Sequence, residues 1–307
     1  MSRTVVFDAY GDPDVLHIVE ADPPVPETGQ VRVAVKAAGV QPFDCLFRSG
    51  AAHPWMPAKF PQRLGNEFAG VIDAIGPGVT GFSVGEEVLG WALFMAYADH
   101  VLVSPQQILR SPVGLSWPEA GVMSASGQTA STAISALGIG DGDTFLIHAA
   151  AGGVGSFGIQ IANALGARVI GTASERNHDY LHSLGAIPVA YGEGLVERVR
   201  AVAPKGVSAA LIAVNTEEAV RTSLELVSQR DRVGAVAFVP LADKLGIRRI
   251  STERSATRLA ALLALYTAGK LKVHIQQTFP LTQAPDAHRV MERGHVRGKL
   301  AFTTGQS

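Results

Sequence analysis

The sequence predicts an α/β protein: a doubly wound parallel sheet with helices on both faces, joined to a small β-rich domain. Three observations predict it. An apolar strand beginning near Leu146 runs through Ala149-Ala-Ala-Gly-Gly-Val-Gly155 into an apolar helix. After Trp117, strand-like and helix-like segments alternate. Before it, short runs rich in Val and Ile are punctuated by Gly and Pro.

The glycine-rich turn carries the functional reading. Gly152, Gly153 and Gly155 can take positive φ and leave no Cβ in the way. Backbone N–H groups around Val154 then approach a pyrophosphate, and the helix N-terminus adds partial positive charge at the same spot. The spacing departs from G-x-G-x-x-G, so context matters. A strand at 144–148 precedes the turn, Ile159, Ile161, Ala162 and Leu165 give a helical face after it, and a second strand spans 168–172. The unit reads as a dinucleotide-binding, Rossmann-type βαβ. The alternative is a tight turn without a ligand.

The end of the second strand sets the cofactor. An Asp or Glu there would bond the ribose 2′-hydroxyl of NAD. This strand ends in Ala173, followed by Ser174, Glu175 and Arg176. The missing acid removes repulsion against a 2′-phosphate. Ser174 can donate a hydrogen bond and Arg176 can pair with phosphate through its planar fork. The expected cofactor is NADPH. A capping role for Ser174, with Arg176 on an exposed first turn, is compatible with this.

Composition narrows the class. The 307 residues suffice for two domains. With 47% hydrophobic and only 17% charged residues, large cores are expected. A net charge of −1 argues against a nucleic-acid surface or a polybasic membrane patch. The single cysteine, Cys45, excludes an internal disulfide and any zinc cluster of several cysteines. No secretory leader or membrane-length apolar run is read, so a cytoplasmic protein is expected.

In order along the chain, strands are expected at 4–7, 16–20, 30–40, 69–75, 87–89 and 97–103, forming a barrel-like domain. A helical segment follows at 118–137. Strands at 144–148, 168–172, 187–191, 209–213 and 232–237 then alternate with helices at 155–165, 177–184, 195–202 and 217–226. A helix at 255–268 ends at Gly269. The tail adds a strand at 273–279, a helix at 283–293 and a strand at 299–303, a segment expected to return to the first domain.

Several segments in this order resemble the zinc-independent quinone oxidoreductase branch of the medium-chain dehydrogenase/reductase superfamily. They are Ala37-Ala-Gly-Val-Gln-Pro-Phe-Asp44 with Arg48-Ser-Gly50, and Leu64-Gly-Asn-Glu-Phe-Ala-Gly-Val-Ile72. Gly76-Pro-Gly-Val79, Val84-Gly-Glu-Glu-Val88 and Gly127-Gln-Thr-Ala130 follow. The glycine turn, Gly171-Thr-Ala-Ser174, Leu184-Gly-Ala186 and the ending Gly294-His-Val-Arg-Gly-Lys-Leu300 complete the set.

The resemblance implies a GroES-like substrate domain at 1–117, an NADPH-binding domain at 118–268, and a segment at 269–307 that returns to the substrate domain. It implies an active site in the cleft between them and NADPH-dependent hydride transfer to a quinone or an α,β-unsaturated carbonyl. It assigns cofactor contacts to Thr129, the turn Gly152, Gly153, Val154 and Gly155, and to Ser174, Arg176, Tyr191, Asn215, Phe238, Gly298 and Lys299. For Tyr191 the other reading is strand-end packing, and for Lys299 a solvated edge charge. A homodimer is implied. The strand-rich segments 233–238 and 241–252 could pair across its two-fold axis; the alternative is a cofactor-side loop in a monomer.

Zinc members of the superfamily carry a His-Glu pair where this chain has Asn66-Glu67. An amide is not a usual zinc ligand, and Cys45 has no ligand partners at suitable spacing. The histidines are scattered and read as surface or loop residues. No metal is expected. Gln41 stands where related reductases often have Asn, and Leu46 where they have Tyr. Leu46 cannot donate a proton, so the catalytic candidates are weak: the Gln41 amide as an oxyanion donor and Tyr97 as an acid, the latter competing with a packed strand tyrosine. Asp44 reads as a structural residue bonding its own loop. Quinones and enones take hydride at carbon and spread the charge to a distant oxygen, so positioning and water exclusion do most of the work. Two other classes stay open: a nucleotide-binding sensor or stress protein with little turnover, and a zinc-free alcohol dehydrogenase.

Overall fold

A computed structural model describes residues 1–305. The chain divides into two compact units, 1–125 with 255–260 and 273–307, and 126–254 with 261–272.

The first unit opens with strands β1 (Ser2–Phe7), β2 (His17–Ala21) and β3 (Val31–Val40). Helix α1 (Pro42–Arg48), β4 (Gln62–Arg63), β5 (Glu67–Ile75), β6 (Glu87–Trp91), β7 (His100–Val103), β8 (Ile108–Arg110) and α2 (Trp117–Gly121) follow. β3 organises the unit. Its first half alternates, with Val31, Val33 and Val35 fully buried between Arg32, Ala34 and Lys36. From Ala37 onward both faces are buried. β3 pairs antiparallel with β5 along one edge and with β7 along the first half of the other, and register shifts near Arg32/Val33 and Val35/Ala37 bend it.

Helix α3 (Met123–Ala136) begins in the first unit and continues into the second. The second unit then runs β9 (Thr144–His148), α4 (Gly153–Ala164), β10 (Arg168–Ala173), α5 (His178–Ser183), β11 (Ile187–Ala190), α6 (Leu195–Val202), β12 (Ala209–Ile212) and α7 (Glu217–Leu226). It ends with β13 (Val233–Ala235), α8 (Pro240–Lys244), β14 (Arg248–Arg249) and α9 (Ala256–Thr267), the first turn of α9 belonging to the first unit. The six strands pair in parallel, in the order β11-β10-β9-β12-β13-β14. Phe145, Leu146 and Ile147 in β9 and all of β12 are fully buried, as expected of strands covered on both faces. The order reverses between β10-β9 and β9-β12, the switch point at which doubly wound sheets bind ligands.

The tail supplies β15 (Ile275–Pro280), α10 (Ala284–Glu292) and β16 (Lys299–Thr303) to the first unit. β16 pairs antiparallel with Ala37–Val40 of β3, completing a seven-stranded sheet. The first unit also holds a three-stranded sheet, β2-β1-β4.

Several details differ from the sequence reading. The helix expected at 118–137 is broken at Val122 into α2 and α3, and α2 stays with the first unit. It packs against β3 closely enough that a Cβ on Gly121 would lie 2.8 Å from Ala37. The boundary therefore falls after Ala125. Helix α1, the short strands β4, β8 and β14, and helix α8 stand where no element was expected. Each is too short for a periodic pattern to show.

Candidate functional site

In the second unit the sequence-derived cofactor residues collect at one edge. Because all six strands are parallel, their C-terminal ends lie on the same side. The glycine turn follows β9, Ser174 and Arg176 follow β10, Tyr191 follows β11, Asn215 follows β12 and Phe238 follows β13. Tyr191 is 47% exposed, which disfavours strand-end packing as its role. Arg176 and Asn215 are exposed. One face of Phe238 carries the Arg249 guanidinium, 4.9 Å from the ring centroid. Thr129, on α3, has its Oγ1 2.6 Å from Oγ1 of Thr252.

Of the two properties that glycine offers, the turn uses the missing Cβ and not the positive φ. Gly152 is extended, with φ −78° and ψ −178°, and Gly153 and Gly155 are already helical. The left-handed residue is Ala149, at φ 54°. Its N–H donates to Thr172 Oγ1 at 3.3 Å, and the N–H of Ala150 donates to the Thr172 carbonyl at 2.9 Å. These bonds to β10 hold Ala149 in a conformation that costs an L-residue about 1–2 kcal/mol. The glycines serve proximity instead. A Cβ on Gly155 would lie 2.5 Å from Ala150 Cα and 2.6 Å from the Ala149 oxygen. Gly155 thus seats the first turn of α4 directly on the turn, and the N–H groups of such a first turn lack intrahelical partners. That arrangement, next to the switch point, fits the pyrophosphate of a dinucleotide.

The strand end fits the same ligand. Ala173 is buried, and no carboxylate replaces it at the end of β10. Ser174 is the N-cap of a short 3₁₀ turn, and its Oγ accepts from Asn177 Nδ2 at 3.2 Å.

His148, at the end of β9, is 2% exposed. Its Nε2 lies 3.1 Å from Ser223 Oγ, and burial lowers its pKa to about 4. His288 is fully buried, and burial, with Arg48 nearby, lowers its pKa to about 3. With His100, which is 8% exposed in β7 and has its Nδ1 2.9 Å from Ser2 Oγ, they correct the expectation of surface or loop histidines. His148 ends an apolar strand and His288 lies on the buried face of amphipathic α10; a neutral imidazole fits both places.

In the first unit, the remaining sequence-derived residues join a buried polar network. Asp44 Oδ2 accepts from the Gln41 N–H at 2.9 Å, the loop bond expected of it. It also accepts from Tyr97 Oη at 2.8 Å, while Oδ1 accepts from Asn66 Nδ2 at 2.7 Å. Burial raises the Asp44 pKa to about 6, against the lowering effect of the hydrogen bonds from Tyr97 and the Gln41 N–H. Tyr97 is fully buried, its pKa pushed well above the usual phenol value by burial and by Asp44. A phenol so placed and bonded holds Asp44; it is a poor acid for a substrate, and the packed-tyrosine reading describes it.

The Gln41 amide donates to Glu67 Oε1, and Lys299 Nζ donates to the same oxygen at 3.0 Å. Lys299 is 3% exposed, which removes the reading of a solvated edge charge. Gly298, before it, has φ 64° and no room for a Cβ against the His274 carbonyl. Asn66 is therefore committed to Asp44, and Glu67 to an ammonium and an amide. Cys45 is buried, its Sγ 3.9 Å from the His288 carbonyl oxygen. Burial, with Asp44 beside it, raises its thiol pKa and keeps it protonated. Among the described residues, no group of three or more His, Cys, Asp or Glu side chains is placed to hold a metal ion.

Sequence reasoning missed the Glu67–Lys299 pair. The signal was present: an acid opening the apolar run Glu67-Phe-Ala-Gly-Val-Ile72 and a lysine opening Lys299-Leu-Ala-Phe302 each demand a partner once buried.

Both parts of the chain resemble known proteins. Residues 27–125 match the family described as alcohol dehydrogenase GroES-like domain, and residues 184–301 the family described as zinc-binding dehydrogenase. A quinone oxidoreductase of Pseudomonas aeruginosa is 30% identical over 98% of this chain and 99% of its own length. The spectinabilin polyketide synthase system protein NorB of Streptomyces orinoci is 33% identical over 90% of this chain, which spans 13% of that protein. Among solved structures, the Escherichia coli quinone oxidoreductase complexed with NADPH superposes with a TM-score of 0.85 at 27% identity, covering 98% of this chain and 99% of that one. The CurK enoyl reductase gives 0.88 at 25% identity, with coverage of 98% and 99%. An NAD-dependent alcohol dehydrogenase gives 0.88 at 29% identity, with coverage of 99% and 100%.

Proposed function

The chain belongs to the quinone oxidoreductase branch of the medium-chain dehydrogenase/reductase superfamily, and we propose that it reduces a quinone or an α,β-unsaturated carbonyl with NADPH and without a metal. It is a nicotinamide-dependent oxidoreductase. The observation that carries the finer reading is the end of β10, where buried Ala173 replaces an acid and Arg176 follows on an exposed turn. This supports NADPH over NADH. When bound, the nicotinamide supplies the hydride. The chain's part is to hold the pyrophosphate at the turn before α4, the 2′-phosphate at Ser174 and Arg176, and the remainder along the strand ends through Tyr191, Asn215 and Phe238. Thr129, Gly298 and Lys299 complete the proposed contacts.

Metal independence rests on this chain's own donors, although the matching family is described as zinc-binding. Two positions carry amides, Gln41 and Asn66, and Glu67 is paired with Lys299. Such a set offers no vacant soft ligand to zinc. Gln41 is 8% exposed with one amide proton directed at Glu67, so its part in the reaction is to fix the loop before α1. The final proton is assigned to water.

The proposed assembly is a homodimer formed along β14, the edge strand of the parallel sheet. No helix of the described residues is long and apolar enough to cross a membrane, and a cytoplasmic location is proposed. Steady-state NADPH oxidation against a panel of quinones and enones tests the function. Turnover of either class supports it, with deuterium from C4-labelled NADPH at the β-carbon of an accepted enone. Absence of turnover with both would favour the sensor reading.

A further inference from the structure

Glu67 places a carboxyl group, 0% exposed, at the start of β5 in the interior of the first unit. Three segments converge on it. From β16, Lys299 Nζ donates to Oε1 at 3.0 Å, and the Gln41 side-chain amide donates to the same oxygen. The backbone N–H of Ala125 donates to Oε2 at 2.5 Å. Gly39 on β3 leaves the space, since a Cβ there would fall on the Glu67 carboxyl. Ala125 lies in the first turn of α3. There N–H groups need an outside acceptor, and the helix dipole favours negative charge. Thr129 lies one turn further along the same helix.

We propose that Glu67 is a positioning residue for nucleotide binding: it fixes the first turn of α3, which leads to Thr129, and Lys299 with its neighbour Gly298. The proposal rests on the reading of these residues as cofactor contacts. A carboxyl is needed because two kinds of donor, a backbone amide and an ammonium, approach its two oxygens. A glutamine would turn its own N–H toward one of them.

The test is NADPH binding to the full chain by fluorescence titration, with KM, kcat, melting temperature and amide hydrogen exchange of residues 123–129, in wild type, Glu67→Gln and Thr129→Val. Glu67→Gln is expected to raise Kd and KM for NADPH about tenfold, the effect of one lost hydrogen bond to a charged group. kcat should change less, and exchange in the first turn of α3 should speed up. A Glu67→Gln protein that melts lower yet keeps wild-type Kd and KM would overturn the proposal, since a merely structural role predicts that result. Should Glu67→Gln fail to fold, Ala125→Pro removes the amide donor in a first turn that tolerates proline, and is read by the same two outcomes. If Thr129→Val binds NADPH normally, the underlying contact reading fails and the proposal falls with it. If Thr129→Val binds weakly while Glu67→Gln binds normally, the proposal alone is overturned.

Discussion

Lys299 on β16 and Glu67 on β5 form an ion pair of 3.0 Å, with side-chain exposures of 3% and 0%. Removing one member of such a pair leaves the other buried without its countercharge. Lys299→Met should therefore cost about 3–5 kcal/mol of stability. The double variant Lys299→Met with Glu67→Gln should lose less than Lys299→Met alone, because no lone charge remains. Guanidinium unfolding of the two variants checks this. A double variant less stable than Lys299→Met would contradict the pairing.

Asp44 gives a pH signature opposite to that of most carboxylates. Its folded-state pKa is raised to about 6 from 3.8 by burial, so the folded protein holds the proton more tightly than the unfolded chain. Between these values the unfolded state has released the proton and the folded state has not. Stability from this group is therefore fully present below about pH 4 and is lost as pH rises to about 6, by roughly 3 kcal/mol. Measured against Asp44→Asn, which does not titrate, the wild type should lose relative stability across this window. A difference that is flat from pH 4 to 6 would refute the assignment. The comparison with a variant is needed because His148, with its pKa lowered to about 4, contributes the opposite slope: its stability is present above 6.5 and lost as pH falls.

Gly155 is required by proximity rather than by backbone angle. Gly155→Ala places a methyl group 2.5 Å from Ala150 Cα, and backbone on both sides cannot move independently. The expected cost is about 1–3 kcal/mol, as for other overpacked sites. Displacing the first turn of α4 should also weaken both NADPH and NADH. Unfolding and titration curves matching those of the wild type would show that the turn has room to spare.

The fold was legible where periodicity and burial agree. β9, α6, α7 and β16 stand at the residues their patterns predict, because β9 and β16 are short apolar runs and α6 and α7 repeat at helical spacing. The strand ends of the parallel sheet followed from the same pattern, so most cofactor candidates could be placed from sequence. The polar network could not. Glu67 and Lys299 are 232 residues apart, and Asp44 meets Asn66 and Tyr97 only through the closure of the first unit. Only the bond of Asp44 to its own loop was legible locally, and its partner is the Gln41 N–H three residues before it. The turn was legible in part: Gly155 leaves the room expected of it, while none of its three glycines uses a positive φ. The left-handed angle sits on Ala149, held by bonds to Thr172, and no residue preference marks such a position in advance.

Arg176 should discriminate between the cofactors. It is exposed on the turn after β10, where a 2′-phosphate would lie. Arg176→Ala should weaken NADPH by about 1.5–3 kcal/mol, the range of a charge-assisted hydrogen bond, and leave NADH nearly unchanged. Equal losses for both cofactors would remove Arg176 from the phosphate site.

Hydride transfer from the proposed NADPH to a quinone or enone should need no metal. NADPH-dependent reduction by purified protein, treated with chelator and then checked by elemental analysis, tests this. No stoichiometric zinc and an undiminished rate are expected. One zinc per chain, with activity that vanishes on its removal and returns on its addition, would contradict it.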